Sequence, residues 1–397
     1  MTSVKTERRR IAVVTGTRAD FGLLRPVLSA IAGDPRLELR LIASGMHFSV
    51  AHGETIREIV AAGFEIAARV PALPADDSPA AMARSVGVAI SGFPDAFAAT
   101  DPAIVLVLGD RVEMLAAAVS AAYLGIPIAH IHGGDLSWGT VDDAARHAIS
   151  KFAHVHFAAT PLSARRLRGL GEEERRIHVV GAPGLDGILH APRPDRGALE
   201  RALGRKLGAR YAVLIQHAIP SESSAAGAQM SETLAALRSC ELPVEAIYPN
   251  SDSGGGAIIA ALERCAQTWP ELRLHRSLPH AQYLALLEHA TVLVGNSSSG
   301  VIEAASFELP VVNIGNRQAG RERGANVIDA PPERAAIAAA LARASTPSFR
   351  ATLRGIVNPY GDGRAAPRIA EALATLDLGP TFRLKTGAAL LESQRGP

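Results

Sequence analysis

The stretch Ile11-Ala-Val-Val-Thr-Gly-Thr-Arg-Ala-Asp20 carries an apolar run into a small-residue turn, and the apolar positions after it predict a helix from about Phe21. Strand, turn and helix in that order open a βα unit, and the alternation continues along the chain. Working outward, apolar runs at Glu38 to Ala43, Ile104 to Leu108, Ile126 to Ile131, His156 to Ala159 and Ile177 to Val180 extend a first series of strands. A second series runs through Tyr211 to Gln216, Val244 to Tyr248, Leu272 to His275, Val292 to Val294 and Val311 to Ile314. Parallel strands joined by crossover helices are expected, so the fold class is α/β. Most of these runs end at Gly, Asp, His or Ser, which turn the chain and reach ligands at the carboxyl ends of such strands.

Between the two series, Gly181 to Gly208 holds Pro183, Pro192 and Pro194 among several charges, a composition suited to an interdomain connection. The expected division is a first domain over 1–185, a connection over 186–208, a second domain over 209–363, and a C-terminal helix and tail over 364–397. The periodic segment Arg364 to Leu376 reads as a helix able to dock on either half. A chain of 397 residues exceeds what one core usually organises, in keeping with two domains.

Apolar residues make up 48% and 41 Lys+Arg nearly balance 39 Asp+Glu, which argues against disorder and against a dedicated nucleic-acid surface. Lys5 and Arg8 to Arg10 form the one conspicuous basic run, read as a solvated tail. Cys240 and Cys265 fall in no C-x-x-C or Cys/His ligand pattern, so neither a disulfide framework nor a zinc site is suggested and a reduced, cytoplasmic setting is expected. Met114 to Ala129 is too short to span a bilayer and reads as a buried helix running into a strand. The N-terminal residues lack the organisation of a secretory signal.

Several strand ends carry chemistry. At Gly16 a small-residue turn meets a helix start, where backbone N–H groups favour an anion, and Arg18 would add charge-assisted bonds to a diphosphate. A turn that merely needs Gly and an Arg facing water explain the same residues. Gly109-Asp-Arg111 puts an acid where α/β sheets keep their sites, although Asp110 could instead cap the next helix. His130-Ile-His-Gly-Gly-Asp135, then Thr140-Val-Asp-Asp143 and Arg146-His147, gather acids and imidazoles at a density that suits proton transfer. Helix capping by Asp142 or Asp143 is the plainer alternative, and metal binding lacks a familiar ligand spacing.

In the second half Gln216-His217, Pro249-Asn-Ser-Asp-Ser-Gly254 and Gly295-Asn-Ser-Ser-Ser-Gly300 each follow a predicted strand. Serines at a helix start can cradle a phosphate, and Glu303 on that helix could accept two hydrogen bonds from a ribose. Ordinary N-capping and a surface ion pair are the competing explanations. Two mirrored sets of such turns favour a cleft between domains.

Gly16-Thr-Arg-Ala-Asp20, Gly109-Asp-Arg111, His130-Ile-His-Gly-Gly134, Asp142 to His147, Tyr248-Pro-Asn250, Gly295-Asn-Ser-Ser298 and Asn316-Arg-Gln-Ala-Gly-Arg321 together resemble the hydrolysing UDP-N-acetylglucosamine 2-epimerases, the family that opens bacterial sialic acid biosynthesis. The similarity runs from about Ile11 to the helix near Ala370. It implies a GT-B fold of two Rossmann-like domains whose parallel sheets face an interdomain cleft, with the nucleotide held mainly by the second domain. Carried over motif by motif, Arg18, Asn250, Ser297, Ser298, Glu303 and Arg317 match the UDP-binding positions, with Arg111 beside the nucleotide and His47 placed among the substrate contacts. Asp110, Asp142 and His217 match catalytic or near-catalytic positions. Asp135 stands where members usually have Glu, and Ala218 follows His217 where Pro is usual; both differences bear on substrate identity more than on reaction class. Non-hydrolysing relatives carry an arginine- and glutamate-rich segment where this chain has Asn316 to Asn326, which points to the hydrolysing branch.

The resemblance implies a UDP-sugar substrate and a homodimer, with no metal or other cofactor and no nucleic-acid or membrane partner. The expected reaction is elimination of UDP to a glycal followed by hydration, with Asp110, Asp135, Asp142 and His217 as the acid/base candidates. A GT-B glycosyltransferase would use the same nucleotide motifs but leave the acidic cluster without a task. A nucleotide-sugar-binding protein that has lost catalysis is the other class to be separated.

Overall fold

The computed structural model describes residues 8–50, 54–73, 79–136, 141–190, 192–249 and 254–385. The chain divides into two compact units, one made of the residues up to Gly187 together with those from Tyr360 onward, the other of Ile188–Pro359.

The first unit holds β1 (Arg9–Thr15), β2 (Leu37–Ser44), β3 (Ile66–Val70), β4 (Ile104–Leu108), β5 (Ile128–Ile131), β6 (Val155–Ala158) and β7 (Ile177–Val179). Their spatial order is β3-β2-β1-β4-β5-β6-β7, every pair parallel. Side chains alternate across a strand, so Ile11 and Val13 of β1 face one layer while Ala12 and Val14 face the other. Helix Arg18–Gly33 covers the first face with Phe21, Leu24, Leu28 and Ile31, and helix Ala365–Thr375 joins it through Ile369 and Leu373. The final helix thus belongs to the first unit. Its N-terminus is capped by the Asp186 carboxylate, which accepts from Ala365 N–H at 2.9 Å and Ala366 N–H at 2.6 Å.

The second unit holds β8 (Ala212–Ile215), β9 (Val244–Ile247), β10 (Leu272–His275), β11 (Val292–Gly295), β12 (Val311–Ile314) and β13 (Val327–Ala330), in the order β10-β9-β8-β11-β12-β13, again all parallel. The second sheet therefore has the 3-2-1-4-5-6 order of the doubly wound nucleotide-binding fold, and the first has the same order with a seventh strand added at its edge.

The structure departs from the sequence expectations in several places, the basic run among them, since Arg9 and Arg10 open β1 instead of lying in a solvated tail. Strands β3 and β13 are additional; both are sheet edges, where Arg69 and Asp329 point to solvent and the apolar signal thins. The expected connection over 186–208 contains helices Pro183–His190 and Arg196–Ala202, the latter N-capped by Asp195 and anchored by fully buried Leu199. The first helix starts at Arg18 rather than near Phe21, because Thr17 and Asp20 form a capping box. Met114 to Ala129 covers most of helix Val112–Tyr123 and the start of β5, and no helix of the described residues is long and apolar enough to cross a membrane.

Candidate active site

In a 3-2-1-4-5-6 sheet the chain leaves strands 1 and 4 in opposite directions, so their loops separate at the carboxyl edge and leave a crevice. In the first sheet these are the loops after β1 and β4. The Asp20 carboxylate folds back into the β1 loop, accepting from the Thr15 hydroxyl at 2.5 Å, Gly16 N–H at 3.0 Å and Thr17 N–H at 3.1 Å. The amides expected to face a phosphate are thus occupied within the chain, which corrects the reading of this turn as an anion cradle. Burial raises the Asp20 pKa, opposed by those hydrogen bonds and by the charge of Arg111. Arg18 lies outside this knot, its side chain 75% exposed and 3.3 Å from Glu58.

Because the Thr15 hydroxyl donates to Asp20, it must accept from His47 Nε2 at 3.0 Å, which leaves His47 Nδ1 to accept from the Thr55 hydroxyl at 2.9 Å. Burial lowers His47 to about 4, so the ring is neutral at pH 7. Glu113 packs beneath, where a Cβ on Gly16 or Gly45 would collide with it. Arg111 Nε donates to Glu113 at 3.3 Å within the same turn after β4.

Asp110 does not cap the following helix: the N-cap is Arg111, which makes no side-chain cap bond. Instead the Asp110 carboxylate pairs with Arg146, a nearly buried guanidinium that also lies 3.6 Å from Asp143. Arg146 stands one turn beyond Asp142 on helix Val141–Phe152, so a single side chain links the β4 acid to the helix bearing the second acid. Asp142 is exposed in the first turn of that helix, the end where the dipole favours a carboxylate. Buried His130 makes a second link. Its Nε2 donates to the Gly109 carbonyl at 2.7 Å and its Nδ1 accepts from the Ser150 hydroxyl at 3.1 Å. Burial lowers His130 to about 3, so it serves here as a neutral tether. Both Asp135 oxygens are engaged, Oδ2 by His132 Nδ1 at 2.9 Å and Oδ1 by the Ser163 hydroxyl at 2.6 Å.

In the second sheet the equivalent loops follow β8 and β11, and they place His217 beside Asn296. Asn296 is 4% exposed; its Oδ1 accepts from His217 N–H at 2.7 Å and its Nδ2 donates to the His217 carbonyl at 2.9 Å. The Asn296 carbonyl accepts from Arg317 Nη1 at 3.2 Å and Gln318 Nε2 at 2.9 Å, drawing in the loop after β12. Gly295 makes this approach possible: at φ +123° a Cβ would strike the Ile215 carbonyl. Ser297 caps the short helix Ser298–Ile302, accepting from Ser299 N–H at 3.4 Å, and Ser298 is its first residue. Glu303 terminates that helix. Its carboxylate is held by the Ser299 hydroxyl, which also meets the Tyr283 hydroxyl, and burial raises its pKa. A hydroxyl, not a cation, holds Glu303, so the surface ion pair is not what forms.

The first unit thus pairs Arg111 with Glu113 and Asp110 with Arg146, on the helix whose first turn carries Asp142; the second gathers His217 and Arg317 around Asn296, beside Ser297, with Ser298 and Glu303 on the adjoining helix. Asn250 lies outside the described residues. Sequence reasoning did not single out Glu113, Asn296, Tyr283 or the tethering role of Arg146. For Asn296 a signal exists, since it is the first residue after a switch-point strand. Ala218 is buried in the second core. Among the described residues no group of three or more His, Cys, Asp or Glu side chains could hold a metal ion.

Residues 29–374 match the family model described as UDP-N-acetylglucosamine 2-epimerase. The chain belongs to the UDP-N-acetylglucosamine 2-epimerase family. Over 371 residues this epimerase is 39% identical to the UDP-N,N'-diacetylbacillosamine 2-epimerase (hydrolyzing) of Legionella pneumophila, covering 93% of this chain and 97% of that one. It is 35% identical to the GDP/UDP-N,N'-diacetylbacillosamine 2-epimerase (hydrolyzing) of Campylobacter jejuni, covering 81% and 84%. It is 33% identical to the UDP-N-acetylglucosamine 2-epimerase of Neisseria meningitidis, covering 81% and 83%. A crystal structure of UDP-GlcNAc 2-epimerase from Neisseria meningitidis bound to UDP-GlcNAc superposes with a TM-score of 0.78 at 17% identity, covering 92% of this chain and 100% of that one. The family and the GT-B-type α/β fold expected from the sequence therefore hold, and the relatives favour the hydrolysing 2-epimerase over the glycosyltransferase.

Proposed function

We propose that this epimerase converts a UDP-linked 2-acetamido sugar and water into the free 2-epimer and UDP, with UDP-N,N'-diacetylbacillosamine preferred over UDP-N-acetylglucosamine. The preference is supported by the higher identity to relatives named for the diacetylated sugar, 39% and 35% against 33%. A base removes the C2 proton while the C1–O bond breaks and its electron pair leaves with UDP, giving a glycal. The oxygen of water then bonds to C1, its proton passes to the enzyme, and an acid protonates C2 on the opposite face. Two acid/base groups are needed, because one cannot reach both faces.

The observation that carries this reading is the Arg146 bridge, which fixes Asp110 next to the helix that presents Asp142. The first unit supplies these acids with Asp135, and the second supplies His217 and the groups that hold the nucleotide: Asn250, Ser297, Ser298, Glu303 and Arg317. Arg18 and Arg111 complete the substrate contacts of the first unit, with His47, its ring nitrogens engaged by Thr15 and Thr55, as a supporting group. Donors aimed at the leaving diphosphate are each worth on the order of a hundredfold in rate. The resemblance further supports a cytoplasmic homodimer, which light scattering on the purified chain checks.

The test is incubation of each UDP-sugar in deuterated water without any acceptor. UDP release with deuterium at C2 of the inverted sugar is expected, faster for the diacetylated substrate. Product bearing only hydrogen at C2, or turnover that requires an acceptor, refutes the mechanism.

A further inference from the structure

Helix Val141–Phe152 must satisfy its last carbonyls outside itself, since no helical turn follows to donate to them. Lys385 does so: its Nζ donates to the Ser150 carbonyl at 2.9 Å and to the Lys151 carbonyl at 2.8 Å. An ammonium at this end also complements the helix dipole. The same nitrogen lies 2.6 Å from Glu172, whose side chain is 0% exposed and also accepts from Lys151 Nζ at 2.8 Å and His156 Nε2 at 3.0 Å. Burial alone would raise Glu172, but these three donors hold it down at about 2, so it is a fixed anion.

The segment that delivers Lys385 is pinned just before it. Arg176 is buried; its Nη1 donates to the Phe382 carbonyl at 2.9 Å, its Nη2 to the Leu384 carbonyl at 2.9 Å, and its guanidinium lies over the Phe382 ring. This strap lies beyond the residues that match the family model.

The other end of the helix carries Asp142 and Arg146, and Arg146 grips Asp110. Ser150, whose carbonyl Lys385 holds, bonds through its hydroxyl to His130, and His130 holds the Gly109 carbonyl beside Asp110. Hydrogen bonds therefore run from the strap through Ser150 and His130 to the loop that carries Asp110, and the held helix itself carries Asp142.

We propose that Lys385 is a positioning residue for proton transfer, holding helix Val141–Phe152 at the depth and rotation that set Asp142 and the Arg146–Asp110 pair. The inference rests on the reading that these acids serve the epimerisation. Burial lowers Lys385 to about 8, with Glu172 opposing and Lys151 and Arg176 adding to the fall. His154 and His156, the other titratable groups of the cluster, are both lowered by burial and stay neutral in that range.

The experiment measures kcat and KM from UDP release between about pH 6.5 and 9.5 for the full chain and for K385M, K385R and D142N, with amide exchange across residues 149–152. Displacing a catalytic group by about 1 Å costs on the order of a hundredfold, so K385M should lose at least about tenfold in kcat with KM within about twofold. Its amides at 149–152 should exchange faster, K385R should recover most of the rate, and wild-type kcat should fall above about pH 8, a fall that K385R moves to higher pH. K385M with wild-type kcat, or with losses shared equally by KM, overturns the proposal. Should K385M not fold, K385R decides: faster amide exchange at 149–152 in K385R with kcat unchanged overturns it. D142N separates the two readings. Full turnover by D142N removes the assignment of the acids, whereas an inactive D142N beside an unimpaired K385M removes only the role of Lys385.

Discussion

Asn296→Ala unties the second-sheet switch point with one atom-scale change. The side chain's two bonds, from His217 N–H at 2.7 Å and to the His217 carbonyl at 2.9 Å, are both lost. Each buried polar group left without a partner costs about 1–3 kcal/mol. His217 is only partly buried, so water reaches some of the gap and the lower end applies, about 2–3 kcal/mol for the pair. In a domain of this size each kcal/mol lowers Tm by about 2–4 °C, which gives a drop of about 4–12 °C. The Asn296 backbone carbonyl, which receives Arg317 and Gln318, is untouched by the substitution. Nucleotide contacts should therefore survive while the imidazole-bearing loop loosens, lowering kcat by about a hundredfold with KM changed by less than about threefold. Asn296→Asp should share the kcat defect, because one of its oxygens must face the His217 carbonyl. A UDP-release assay beside a fluorescence melt reads both quantities. Wild-type kcat in the alanine variant, or a defect carried by KM alone, would refute the claim that Asn296 sets His217 for chemistry.

Gly295→Ala forces a Cβ against the Ile215 carbonyl at φ +123°, so the urea midpoint should fall by the equivalent of at least about 2 kcal/mol, and an unchanged midpoint contradicts the close approach. Glu303→Gln should weaken UDP binding about tenfold by calorimetry with kcat nearly intact, since a hydrogen bond to a charged group is worth about 1.5–3 kcal/mol; equal affinity removes Glu303 from the nucleotide site. Burial puts His47 at about 4 and His130 at about 3, both below the ordinary 6.5, so the unfolded chain binds more protons across that interval. Stability of the first unit is therefore fully present above about pH 6.5 and is lost as pH falls through 6.5 towards the folded values, and a Tm level from pH 7 to 4 would show that these rings are not buried neutral.

How much is legible in the sequence depends on where a residue lies in a sheet. Interior strands announce themselves because both faces are covered: every residue of Ile104-Val-Leu-Val-Leu108 is buried. The edge strands β3 and β13 do not, because Arg69 and Asp329 interrupt their apolar runs at solvent-facing positions. Likewise Asp110, His217 and Ser297 can be picked out as residues just past a strand. Their partners cannot. Asp110 meets Arg146 36 residues away and His217 meets Asn296 79 residues away, contacts that follow from strand order and not from spacing. The strap from Pro380 to Lys385 has no sequence signal at all, because its value lies in one ammonium meeting carbonyls that only the folded helix leaves unpaired.

The two switch points also differ in a way that bears on the division of labour between the units. Each closes its strand-1 loop with a side chain that binds the loop's own backbone. In the first unit that closing group is the Asp20 carboxylate, which takes the Gly16 and Thr17 amides and so fills with an anion the place a phosphate would need. In the second unit the closing group is the neutral Asn296 amide, which satisfies a donor and an acceptor at once and adds no negative charge. Its carbonyl then holds Arg317, a cation, at the same loop edge. The closed loop of the first sheet thus carries a carboxylate against its amides, whereas that of the second carries a neutral amide with a guanidinium beside it.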